Sequence, residues 1–220
     1  MRGGLWVAVA VAVVALFTAL WGYYMAPETY EPVHILAFQD EQNQLPVFAQ
    51  FVVRQAIHLD EPAYVREVRV PMHMPADPGF LKVSLYRNAS LVYAWQTVPA
   101  FTGKGLQVFS LPVPMLLDGL LELKFDGQSI SYEDAARSPA LYTEDDTQAF
   151  PSGSYRIAEN RKEGNVSLSF VAERWRYQRL AEENPHFFEA TVSRLVIAAL
   201  LVVGLLYLPS FLTRPFGVRL

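Results

Sequence analysis

The chain has 220 residues, 52% of them hydrophobic, and its 22 acidic and 18 basic side chains give a net charge of -4. That length suits one ordinary domain with apolar residues left over, and the lack of any cysteine excludes disulfides, thiolate catalysis and cysteine-ligated zinc. Every acidic residue falls between Glu28 and Glu189, whereas Arg2, Arg194, Arg214 and Arg219 lie outside, so the middle is more acidic than the whole and repels nucleic acid and anionic lipid.

The run Leu5–Pro27 carries no charge and approaches the roughly 20 apolar residues that cross a bilayer core. Residues 1–27 are therefore expected to be a cytoplasmic stub and a first transmembrane helix. Lys and Arg are absent from Glu28 to Val53, which puts the stub inside and the middle outside. Trp21, Tyr23 and Tyr24 would sit where the helix leaves the hydrocarbon. A cleaved secretory signal is the rival reading; the long apolar run and bulky residues at the would-be cleavage site favour an uncleaved anchor.

Residues 28–46 show little periodicity and read as a spacer. Alternation then predicts strands near 47–59, 64–74, 80–87, 90–98, 105–111 and 119–126, separated by turn formers such as Asp60-Glu61-Pro62, Asn88 and Asp118-Gly119. Leu81, Val83 and Leu85 share one face, as do Leu121, Leu123 and Phe125. The segment 127–152 reads as a long acidic excursion, with two further strands near 153–158 and 165–173. Residues 176–184 form a linker. Asn184 as N-cap, Pro185 at the first helical position and Pro209 at the end then bound a second expected transmembrane helix, 185–209, with Phe187, Phe188 and Arg194 at the outer interface. Residues 210–220 complete the chain as a cytoplasmic tail.

The predicted fold is mainly β: an antiparallel, jelly-roll-like β-sandwich over 47–175 flanked by an N-terminal and a C-terminal transmembrane helix. The segments EVRVPMHMPADPGFLKVSLYR, LQVFSLPVPMLLDGLLELKF and FPSGSYRIAENRKEGNVSLSF make this region resemble the galactose-binding, carbohydrate-binding-module type of jelly roll found in extracytoplasmic parts of bacterial membrane proteins. The resemblance implies a binding or packing module without a catalytic centre.

Tyr86, Tyr93 and Trp95 are the candidate ligand-binding residues, because flat aromatic faces stack on pyranose rings; Tyr132 and Tyr142 are further aromatics of that kind. Tyr93 and Trp95 alternate on one strand face, and membership of the core is the competing reading. Glu144, Asp145 and Asp146 supply the hard oxygens of a structural calcium site, or else a solvated acidic loop. Met72, His73 and Met74 carry soft ligands, but an extended strand points His73 away from the two methionines. Asn88 and Asn165 match the glycosylation pattern. No nucleophile elbow, zinc-binding helix or phosphate-binding glycine loop is present.

These readings combine into a two-pass membrane protein with both termini cytoplasmic and a non-catalytic extracytoplasmic domain. Its expected role is an accessory or scaffolding subunit of a cell-envelope, polysaccharide-handling assembly, with membrane proteins of that assembly and the lipid bilayer as partners and nucleic acid excluded. A tethered carbohydrate-binding module and an envelope glycoside hydrolase are the alternatives.

Overall fold

The computed structural model describes residues 2–35, 44–97, 101–128, 130–144 and 154–184, with scattered positions from 186 to 198. The chain divides into two compact units, Thr29–Glu173 and the two ends, Met1–Glu28 with Arg174–Leu220.

The larger unit is antiparallel β. Its strands are β1 (Pro27–Ile35), β2 (Gln44–Pro46), β3 (Val53–Met74), β4 (Leu81–Arg87), β5 (Ser90–Thr97), β6 (Gly103–Asp126), β7 (Ala140–Glu144), β8 (Ser154–Ile157), β9 (Asn160–Glu163), β10 (Asn165–Val166) and β11 (Leu168–Trp175). The main order is β1-β11-β3-β6-β4-β5, with β8 and β9 continuing from the first half of β3. A short 3-10 segment, Tyr132–Arg137, precedes β7.

Two strands of unusual length form the spine. β3 and β6 pair from Val53↔Phe125 to Met74↔Gly103. The predicted turns at Asp60-Glu61-Pro62 and Asp118-Gly119 do not reverse the chain. Instead, β3 carries extra residues between Leu59 and Ala63, and β6 carries extra residues between Ser110 and Met115. Such insertions bend a ribbon and increase its twist without ending it. Gly119, at φ +66, supplies the left-handed position opposite Leu59.

The bends change which neighbours each half meets. The first half of β3 lies between β8 and the second half of β6, which in turn pairs with β4. The second half of β3 lies between β11 and the first half of β6. Both halves bury one face: Val53, Ile57, Leu121, Leu123 and Phe125 share a core with Val68, Val70, Met72, Met74 and Phe170. Each fully buried side chain of this size contributes about 1.5–3 kcal/mol. Gly127 closes the end of β6, where an added Cβ would meet the backbone oxygen of Val47 at 2.6 Å.

The predicted alternation in β4 and the second half of β6 holds in the structure, except that the small Ser84 is buried as well. β1, β2 and β7 were not signalled by periodicity, being short or proline-bearing edge pieces.

The smaller unit contains helix α1 (Arg2–Tyr24) and helix α2 (Arg176–Glu183). α2 is a charged helix of 8 residues. Among the described residues, no helix is long and apolar enough to cross a membrane. This overturns the expected two-pass localisation and leaves the flanking transmembrane helices of the predicted fold unsupported. Most of 185–209, and all of 210–220, lie outside the described residues.

Candidate functional site

The β4 hairpin partners fix which way each candidate aromatic faces. Tyr93 pairs with Leu85 and Trp95 with Val83, and both partners are fully buried. Tyr93 and Trp95 thus lie on the inner face, half-buried against the core, with ring centroids 5.2 Å apart. The Trp95 ring continues onto Phe109 at 5.7 Å, and its indole N–H donates to the Ser110 carbonyl at 2.7 Å. Tyr86 pairs with Glu122 and faces outward. The three candidates therefore do not converge on one surface.

Tyr86 instead belongs to a groove of about 320 Å³ on the outward face, lined among others by Arg54, Asn88, Leu120, Glu122 and Lys124. Register explains this set. Lys124 lies between Arg54 of β3 and Ser84 of β4, while Glu122 lies between Ala56 and Tyr86. Outward positions of three neighbouring strands therefore form the floor. The rim is the two-residue turn Asn88-Ala89, with φ of 49° and 64°, a geometry that matches the twist of a tight hairpin. Arg54 Nη1 stands 3.5 Å from Glu122 Oε1, and Lys124 Nζ stands 3.5 Å from Asp126 Oδ2. The Arg54–Glu122 pair is largely exposed and contributes about 0–1 kcal/mol, so a ligand can displace it at little expense.

Chemically, the groove offers one aromatic ring, a partly exposed leucine, an amide, two cations and a carboxylate. Polar and apolar side chains contribute comparably to its lining, so a ligand there would need hydrogen-bonding groups as well as an apolar face. Sequence reasoning had singled out Tyr86, but not Arg54, Glu122 or Lys124, because nothing local marks charged residues on an outward strand face.

A second aromatic group lies in the same unit. The Tyr132 ring is 5.4 Å from Phe48 and 6.2 Å from Phe51. Phe48 is buried, whereas Tyr132 is 68% and Phe51 42% exposed. Tyr142 is buried in the core.

Asp145 and Asp146 lie outside the described residues, and only the backbone of Glu144 is described. Among the described residues, no three His, Asp or Glu side chains are grouped to hold a metal. Met72 and Met74 are fully buried, and His73 is half-buried. Asn165 is fully buried and takes a hydrogen bond from Gln55, which leaves no room for a glycan there. Trp21, Tyr23 and Arg194 are exposed and Tyr24 is half-buried; Phe187 and Phe188 lie outside the described residues.

No known protein family matches this chain. No curated protein matches it either. Among solved structures, the chain is similar to one described as "Carbohydrate-Binding Module CBM36 in complex with calcium and xylotriose", with 15% identity and a TM-score of 0.28, over 67% of this chain and 99% of that one.

Proposed function

We propose that the β unit is a non-catalytic carbohydrate-binding module of the jelly-roll kind, and that the groove around Tyr86 takes the sugar. The observation that carries this reading is the groove itself, where an aromatic side chain lies among hydrogen-bonding groups in a volume suited to a small ligand. Glycoside hydrolysis ordinarily needs two carboxyl groups flanking the scissile bond. Among the described residues lining the groove, Glu122 is the one carboxylate, and it stands beside Arg54. A structural calcium held by Glu144, Asp145 and Asp146 belongs to the same reading, and a lower melting temperature after chelation is its expected sign.

Affinity electrophoresis through gels containing soluble polysaccharides tests the proposal. The full chain should be retarded, Tyr86→Ala should run freely, and Tyr86→Phe should keep the retardation. Retardation unchanged in Tyr86→Ala, or absent from the unaltered chain across neutral and acidic glycans, overturns it.

The second reading is an accessory, scaffolding subunit docked on another protein. It is favoured by the exposed pair Phe51 and Tyr132, since aromatic side chains are enriched at protein interfaces. Loss of a co-purifying partner in Tyr132→Ala, with glycan retardation intact, would separate this role from sugar binding.

A further inference from the structure

Four cations stand in one cross-strand row on the outward face. Lys124 of β6 pairs with Arg54 of β3, Arg54 pairs with Arg156 of β8, and Arg156 pairs with Arg161 of β9. Residues directly opposite in an antiparallel sheet point to the same side. At about 4.8 Å between strands, the row extends roughly 14 Å. Arg54, Arg156 and Arg161 are exposed, and Lys124 is half-buried at the end where the row enters the groove.

Like charges directly opposite each other destabilise a sheet. A run of four of them in a chain whose net charge is -4 is therefore a stability cost in need of a compensating role. The neighbouring acids relieve it partly: Glu122 serves Arg54 and Asp126 serves Lys124, each at 3.5 Å, while Arg156 has no ion-pair partner among the described residues. The Arg54–Glu122 pair, long and largely exposed, exchanges readily for a ligand's own anion. The acidic excess elsewhere does not cancel a local row, because screening confines exposed charges to about a Debye length, ~10 Å at 0.1 M salt.

We infer that the row Arg161, Arg156, Arg54, Lys124 is a track for an acidic polysaccharide, one whose sugars carry carboxylates in sequence, with one sugar seated on Tyr86. This inference rests on the proposed carbohydrate-binding function and names its ligand class. Guanidinium groups suit carboxylates because they offer two parallel donors in a planar fork. A glycan with one carboxylate per sugar presents its charges at a repeat comparable to the strand spacing.

The test uses the full chain with three soluble probes: polygalacturonate, a neutral galactan, and dextran sulfate as a polyanion without carboxylates. Polygalacturonate should bind best and should weaken steadily as salt is added. The double variant Arg156→Gln/Arg161→Gln, both at exposed positions, should lose about tenfold or more in affinity for polygalacturonate while its unfolding midpoint does not fall. Equal affinity for galactan and polygalacturonate, or no effect of the double variant, overturns the acidic-glycan track and leaves sugar binding standing. Preference for dextran sulfate overturns carboxylate recognition in favour of mere polyanion attraction. Failure of all three probes to bind removes the carbohydrate reading together with the track.

Discussion

Glu28 takes hydrogen bonds from two arginines of α2: Arg176 Nε donates to Oε1 at 2.6 Å and Arg179 Nε donates to Oε2 at 2.8 Å. The Arg176 guanidinium also stands over the Tyr23 ring at 4.3 Å, and its backbone N–H donates to the Ala26 carbonyl at 3.0 Å. One carboxylate thus ties α2 to the segment that follows α1. The hydrogen bonds from Arg179 and then Arg176 hold the Glu28 carboxyl down from its ordinary 4.5 to about 2, and Arg179 is in turn raised.

A depressed carboxyl stabilises the folded chain above its ordinary value and loses that contribution as it is protonated. The Glu28 clamp should therefore be intact above pH 4.5 and released as the pH falls toward about 2. Carboxyl-carbon NMR titration should find the Glu28 midpoint near 2, and Arg179→Ala should move it back up toward 4.5. A midpoint near 4.5 in the unaltered chain would contradict the clamp.

Ala89 occupies the second position of the β4–β5 turn at φ +64, a conformation that costs an L-residue with a Cβ about 1–2 kcal/mol. Glycine escapes that cost but gives up chain entropy. Ala89→Gly is expected to raise stability by about 1 kcal/mol, read as a higher denaturant midpoint at unchanged slope. A lower midpoint would mean that the turn is not left-handed at this position.

Gln55 is fully buried between strands. Its Oε1 accepts from the Val166 N–H at 2.8 Å, and its Nε2 donates to Ala56 O at 2.8 Å and to Asn165 Oδ1 at 3.3 Å. Gln55→Leu keeps the volume but strips the Val166 N–H of that acceptor, at an expected loss of about 1–3 kcal/mol. Leu120→Ala, on an exposed side chain, serves as the control, with an expected change within about 0.5 kcal/mol. Equal effects from the two would remove the buried amide as a structural link.

Much of the β architecture was legible because burial imposes a period of two. Leu81, Val83 and Leu85, like Leu121, Leu123 and Phe125, announced their faces in the sequence, and the register pairs Val83 with Phe125 and Leu85 with Leu123. The long ribbon was not legible: Pro62 and Gly119 carry turn chemistry, yet here they mark bends within continuous strands, a distinction set by tertiary packing. Nor could sequence bring Arg156 beside Arg54, since their pairing joins strands about a hundred positions apart. Tyr86 was visible as an aromatic; its separation from Tyr93 and Trp95 follows from strand parity once the strand is placed in the sheet.

Glycan binding by the outward sheet face around Tyr86 can be read amide by amide. Amide hydrogen exchange of the full chain with and without polygalacturonate tests it most directly. Glycan bound at this face should add protection across Tyr86–Ala89 and Leu120–Lys124 and around Arg54, with the amides near Tyr132 unchanged. Protection confined to the Phe51 and Tyr132 surface, or no change anywhere at saturating glycan, would contradict it.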